Sequence, residues 1–147
     1  MKILFVCKYN RFRSRIAEAY FKKINKNKNI KAESAGLIAG FSPLNKYQIK
    51  AARDYGIYLS GKPRAMSMDL LKNQNKIIVV ADDVPKDVFD VPFDARKSYP
   101  YTKKVIIWKI PDINDGNIFQ KSKKTILTIM KKVDELNKKL IRRRKND

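Results

Sequence analysis

The chain has 147 residues, 44% of them hydrophobic, with one cysteine and no histidine. That length suits one domain with a proper core. The missing residues exclude an internal disulfide, histidine-based zinc sites, Ser-His triads and Cys-His dyads. Lys and Arg number 34 against 14 Asp and Glu, a formal charge of +20. Such a balance suits a nucleic-acid partner, an acidic surface or an acidic substrate, and equally a lysine-rich composition with no binding role. A lone thiol fits a reducing compartment. The first apolar run is cut short by Lys8, Arg11, Arg13 and Arg15, too early for a signal peptide, and nothing approaches a membrane span. The chain reads as cytoplasmic.

Lys2 to Val6 is a short apolar run, as expected for a strand buried on both faces of a parallel sheet. A helix follows from near Arg13 or Ser14, with Ala17, Tyr20, Phe21 and Ile24 at helical spacing, and ends at the polar stretch 25–29. Residues 30–36 alternate like a second strand. Ser42-Pro43 is read as N-cap and first residue of a helix carrying Leu44, Tyr47, Ala51 and Tyr55, with Gly56 as its left-handed C-terminal cap. Ser67 caps a short helix through Leu70 and Leu71, and residues 76–81 form a third strand. Asp82 and Asp83, just after it, are read as loop or cap acids rather than as chemistry. One helical turn is expected over 85–91, loop over the proline-containing 92–101, and a fourth strand over 105–108. Ile126, Met130, Val133, Leu136 and Leu140 mark a long final helix that ends in the basic run 138–145.

Four strands alternating with helices predict a single α/β domain over 1–147, with a parallel sheet and a basic C-terminal helix and tail from about 118. Ligands of such sheets sit beyond the carboxyl ends of the strands. Cys7, Asp82 and Asp112 all lie just past expected strand ends and are therefore expected on one rim.

The chemistry concentrates in Cys7-Lys8-Tyr9-Asn10-Arg11-Phe12-Arg13-Ser14, at the turn from the first strand into the first helix. A thiolate is the attacking species, and without imidazole it needs other positive charge. Backbone N–H groups of the loop, the positive end of the helix and the Ser14 hydroxyl supply it. Arg13 offers a planar fork for two phosphoryl oxygens. Asn10 tolerates the left-handed backbone of a tight loop.

This stretch, with Ala17-Glu18 after it, resembles the signature of the low-molecular-weight protein tyrosine phosphatase family: Cys, five residues, Arg, then Ser or Thr, with Asn three residues after the Cys. Ser34-Ala35-Gly36, residues 52–57 and the strand 77–80 also match the family in place, so the resemblance covers nearly the whole chain. It implies a three-layer sandwich with a four-stranded parallel sheet and a phosphate loop after strand 1. It also implies a phosphomonoester hydrolase working through a cysteinyl-phosphate, with no metal or cofactor. Cys7 is then the nucleophile and Arg13 the phosphoryl ligand. Lys8, Tyr9, Asn10, Arg11, Phe12 and Ser14 bind phosphate or support the loop. Asp112 is the general acid and base, with Asp115 as fallback.

Several residues depart from the family pattern. Tyr9 replaces a glycine, and a positive φ there would strain it. Phe12 replaces a second cysteine, and Arg15 a proline. Ile113 replaces the proline after the catalytic aspartate. Arg11 stands where small or apolar residues are usual; it either suits a substrate with extra negative charge or points to solvent. Tyr9, Phe41 and Tyr99 are weighed as walls for an aromatic ring against plain packing, and packing is preferred.

Two rivals stand beside the hydrolase. Residues 121–147 carry 11 basic and 3 acidic side chains, and residues 1–31 carry 10 and 1. That clustering suits a phosphate-cradle binding protein with weak or no catalysis, docking on nucleic acid or acidic partners. No recognisable nucleic-acid module accompanies it. Thioredoxin-coupled arsenate reduction uses further cysteines, and this chain has none. The substrate is a phosphorylated one, with phosphotyrosine, phosphoarginine and small phosphoesters all open.

Overall fold

The first strand is apolar on both faces because it lies in the middle of the molecule. In the computed structural model, which describes residues 1–90, 92–94, 97–98 and 101–146, β1 (Lys2–Cys7) is flanked by β2 (Lys31–Gly36) and β3 (Lys76–Val80). Outside β3 lies β6 (Val105–Trp108), giving the order β2-β1-β3-β6 with every pair parallel. Ile3, Leu4, Phe5 and Val6 are each fully buried, and each such side chain contributes about 1.5–3 kcal/mol of hydrophobic stabilisation. Because all four strands run the same way, Cys7, Gly36, Val80 and Trp108 end on one edge of the sheet.

Alternation along β1 divides the core between the two faces of the sheet. Ile3 and Phe5 pack with Ile16 and Phe21 of α1 (Arg13–Ile24), Ala51 and Ala52 of α2 (Lys46–Asp54), and Ile126, Ile129 and Val133 of α4 (Ile118–Asn146). The Phe5 ring lies 6.1 Å from both Phe21 and Trp108. Leu4 and Val6 pack on the opposite face with Leu71 of α3 (Met68–Lys72) and with Phe89 and Tyr101 of two short 3-10 turns, Lys86–Asp90 and Tyr101–Lys104. The result is helices, sheet, helices. β6 and β2 are the two outer strands, and Ile106 and Ile107 remain exposed on β6.

Two expectations are corrected. The second helix starts at Lys46, capped by Asn45, whose side chain accepts from the Tyr47 N–H, and not at Ser42-Pro43. Asparagine is as good a cap as serine, and the Pro43 carbonyl is engaged elsewhere, by Arg11. The stretch 92–101 is not wholly loop: β4 (Pro92–Asp94) and β5 (Lys97–Ser98) form a small antiparallel ribbon. Tyr99 lies outside the described residues. Gly56 does end the second helix with φ 71°, and Ser67 caps α3 by accepting from the Leu70 N–H.

Candidate active site

The turn between β1 and α1 wraps a sulfur atom that is nearly buried. Cys7 is 2% exposed. Its Sγ lies 3.0 Å from the Ser14 hydroxyl. Ser14 Oγ already accepts from Asn10 Nδ2 at 2.9 Å, so its own hydrogen is free to point at sulfur. The Asn10 amide is fully used: its second N–H donates to Ser34 Oγ at 2.9 Å, and its Oδ1 accepts from the Arg64 backbone N–H at 3.0 Å. Ser34 in turn donates to Glu18. Arg64 is tied back by its Nε to the Ser34 carbonyl and by an ion pair of 3.3 Å to Glu33. A chain of buried, satisfied hydrogen bonds of this kind locks one loop conformation.

Asn10 has φ 52°, and it is the one non-glycine residue at positive φ among the described residues. Asparagine tolerates that region. Tyr9 therefore carries no such strain, so its replacement of glycine is accommodated. The loop is laced to the end of β2, with the Leu37, Ile38 and Gly40 N–H groups donating to the Cys7, Lys8 and Tyr9 carbonyls at 2.9–3.0 Å. Gly36 makes this approach possible: a Cβ there would lie 2.4 Å from the Ile38 carbonyl oxygen and 2.7 Å from the Asn10 nitrogen.

α1 begins at Arg13 with no side-chain cap at Phe12 and no acid in its first turn. Its unpaired N–H groups and dipole are thus left for an anion. Arg13 is 3% exposed. One Nη donates to the Ile110 carbonyl at 2.9 Å and the other to Asp83 at 3.0 Å, with Asp82 3.9 Å away. Its Nε–H and the second Nη1 hydrogen remain for a ligand. The acidic pair after β3 therefore orients the arginine, a role the sequence reading did not assign.

Cys7, Arg13 and Asp112 line one pocket of about 280 Å³, together with Tyr9, Arg11, Phe12, Asn45, Gln48, Ile113, Asn114 and Ile118. Asp112 accepts from the Ile113 N–H at 2.9 Å. Asp115 does not line this pocket; its side chain is 90% exposed and pairs with Lys121 at 3.0 Å. Phe41 is 97% exposed and forms no wall. Lys8 stacks its ammonium 5.2 Å from the Tyr9 ring and lies outside the lining. No group of three or more Cys, Asp or Glu side chains suited to a metal ion occurs among the described residues.

Ser34, Glu18, Arg64 and Asp83 support the loop, and none of them is marked as a site residue by the sequence. Glu18 lies one helical turn beyond Ser14, a visible signal. Arg64 approaches only through the parallel bridge between Gly36 and Ala65.

Known proteins share this fold. The low molecular weight protein tyrosine phosphatase from T. tengcongensis shares 28% identity, with a TM-score of 0.72 over 95% of this chain and 99% of that one. An arsenate reductase from Archaeoglobus fulgidus DSM 4304 shares 25% identity, with a TM-score of 0.65 over 92% and 98%. The YwlE arginine phosphatase from Geobacillus stearothermophilus shares the fold, at 19% identity and a TM-score of 0.81 over 99% and 96%. A search of curated protein sequences finds no match. The family model for low molecular weight phosphotyrosine protein phosphatase matches residues 2–147. With a match of that extent, this chain belongs to the low molecular weight phosphotyrosine protein phosphatase family.

Proposed function

We propose that this phosphatase hydrolyses phosphomonoesters in two displacements on Cys7. The observation that carries the reading is the meeting of Cys7, Arg13 and Asp112 in one pocket. In the first step the Cys7 thiolate forms an S–P bond as the ester P–O bond breaks, and Asp112 gives its proton to the departing oxygen. In the second, Asp112 takes a proton from water, the new O–P bond forms, and the S–P bond breaks to release phosphate and thiolate. Arg13 and the loop N–H groups hold the equatorial oxygens throughout, where charge is greatest. Ser14 supports the sulfur when it leaves, Asn10 holds the loop, and Tyr9 and Phe12 shape its wall.

No cofactor or metal takes part in this scheme. The sole cysteine is free, which leaves no second thiol for a reductase cycle and fits a cytoplasmic setting. No described helix is long and apolar enough to cross a membrane. A phosphate-cradle binding protein without turnover is not better supported, since Cys7, Arg13 and Asp112 line one pocket.

The test is hydrolysis of an aryl phosphate by purified protein. Turnover is expected without added metal, with competitive inhibition by vanadate, and it should vanish in Cys7→Ser. Equal turnover by the serine variant overturns the mechanism.

A further inference from the structure

The phosphoryl half of the substrate is read by the loop; the other half meets the remainder of the pocket wall. Three lining residues are charged: Arg11, Arg13 and Asp112. Arg13 is committed to Asp83 and the Ile110 carbonyl. Arg11 has no carboxylate partner among the described residues. Its one acceptor is the Pro43 carbonyl, 2.8 Å from Nη2, and its Nε is buried without a partner. The side chain is held against Gly40, since a Cβ on that glycine would come within 2.4 Å of the Arg11 Cδ and 2.6 Å of its Cγ. In this position it lines the pocket. Beside it stand the amides of Asn45, Gln48 and Asn114. The Asn45 oxygen is spent on capping α2, which leaves that side chain facing a ligand as a donor.

Tyr9, Phe12, Ile113 and Ile118 give the pocket surface for a ring, while Arg11 and the neighbouring amides give one side of it hydrogen-bond donors and a cation that forms no ion pair among the described residues. A guanidinium with spare N–H groups pairs best with a planar carboxylate. Resting on the phosphatase reading above, we propose that Arg11 selects phosphomonoesters whose leaving group carries a carboxylate. A cationic leaving group meets like charge at the same point and is disfavoured.

The experiment uses three aryl phosphates on one ring: 4-carboxyphenyl, 4-carbamoylphenyl and 4-(aminomethyl)phenyl phosphate. Measured as kcat/KM at low ionic strength, the carboxylate is expected to exceed the amide by about fivefold, and the amine to fall below both. The preference should shrink as sodium chloride is raised. Arg11→Gln should bring the carboxylate-to-amide ratio close to one. Arg11→Lys, which keeps the charge without the fork, should leave a reduced ratio, and it decides the matter if the glutamine variant does not fold. Turnover of all three by the native protein without this order overturns the inference and leaves the hydrolase reading standing. An unchanged ratio in Arg11→Gln, or in Arg11→Lys if glutamine does not fold, also overturns it. Absence of turnover on every substrate removes the hydrolase reading and this inference with it.

Discussion

Ser14 Oγ stands 3.0 Å from the Cys7 sulfur while accepting a hydrogen bond from Asn10. That second bond uses an Oγ lone pair and leaves the Ser14 hydrogen free for sulfur. The chain has no histidine, and in the proposed mechanism this hydroxyl, held in place by an amide, supports the thiolate. Ser14→Ala removes a hydrogen bond to a charged acceptor, worth roughly 1.5–3 kcal/mol. Iodoacetamide modification of Cys7 at neutral pH should slow by about tenfold or more, by the same bond energy. An unchanged rate would show that the hydroxyl does not support the thiolate.

Asp112 and Asp115 are three residues apart, but one of them faces the sulfur's pocket and the other pairs with Lys121. General acid catalysis contributes about 10²–10⁴-fold. Asp112→Asn should cost turnover in that range on a phosphate ester with a poor leaving group, and much less on one with an activated phenol. Asp115→Asn should stay within about twofold on both, the scale of an exposed ion pair. The opposite pattern would transfer the acid–base role to Asp115.

Gly36 is needed for space rather than for backbone conformation. An alanine Cβ would press on three backbone atoms, the Ile38 oxygen, the Asn10 nitrogen and the Tyr9 carbonyl carbon, all within 2.8 Å. Overpacking of this sort costs about 1–3 kcal/mol. Gly36→Ala should lower the denaturation midpoint and weaken inhibition by inorganic phosphate, because the displaced atoms belong to the loop. Stability lost with phosphate inhibition intact would separate the loop from this contact.

Tyr20 joins the first and last helices, donating its hydroxyl to Asp134 at 2.7 Å. Burial, then the bond to Asp134 and that carboxylate's charge, push its phenol up to about 12. The folded state thus favours the protonated phenol. Its contribution is complete below the ordinary tyrosine value near 10 and is lost as pH rises from there through about 12. Tyr20→Phe should cost roughly 0.5–1.5 kcal/mol at neutral pH by urea denaturation. It should also flatten the decline of stability over that alkaline range. A decline of equal steepness in the variant would assign it to other groups.

Much of the site was legible because its parts are local in the chain. The spacing from Cys7 to Ser14 places a thiol, a left-handed asparagine, an arginine and a hydroxyl on one strand-to-helix turn, and each residue type has a physical reason to be there. The apolar run before it and the periodicity after it made the parallel sheet readable as well. The start of the second helix was misplaced because two capping signals, Ser42 and Asn45, lie within one turn. Asn45 is the one that caps, accepting from the Tyr47 N–H.

What the sequence determined by itself is the reagent: one thiol, no imidazole, and a loop able to hold a phosphoryl group. What only the tertiary structure decided is everything that reaches this loop from far along the chain. Asp83 arrives because β3 lies beside β1, and Arg64 because residue 65 bridges to Gly36. Asp112 is distinguished from Asp115 by which of them faces the pocket, and Arg11 is held beside that pocket by Gly40 and Pro43. Strand order and side-chain direction set these contacts, and neither is written in residue spacing, because pairing between distant segments follows from burying both faces of the sheet at once.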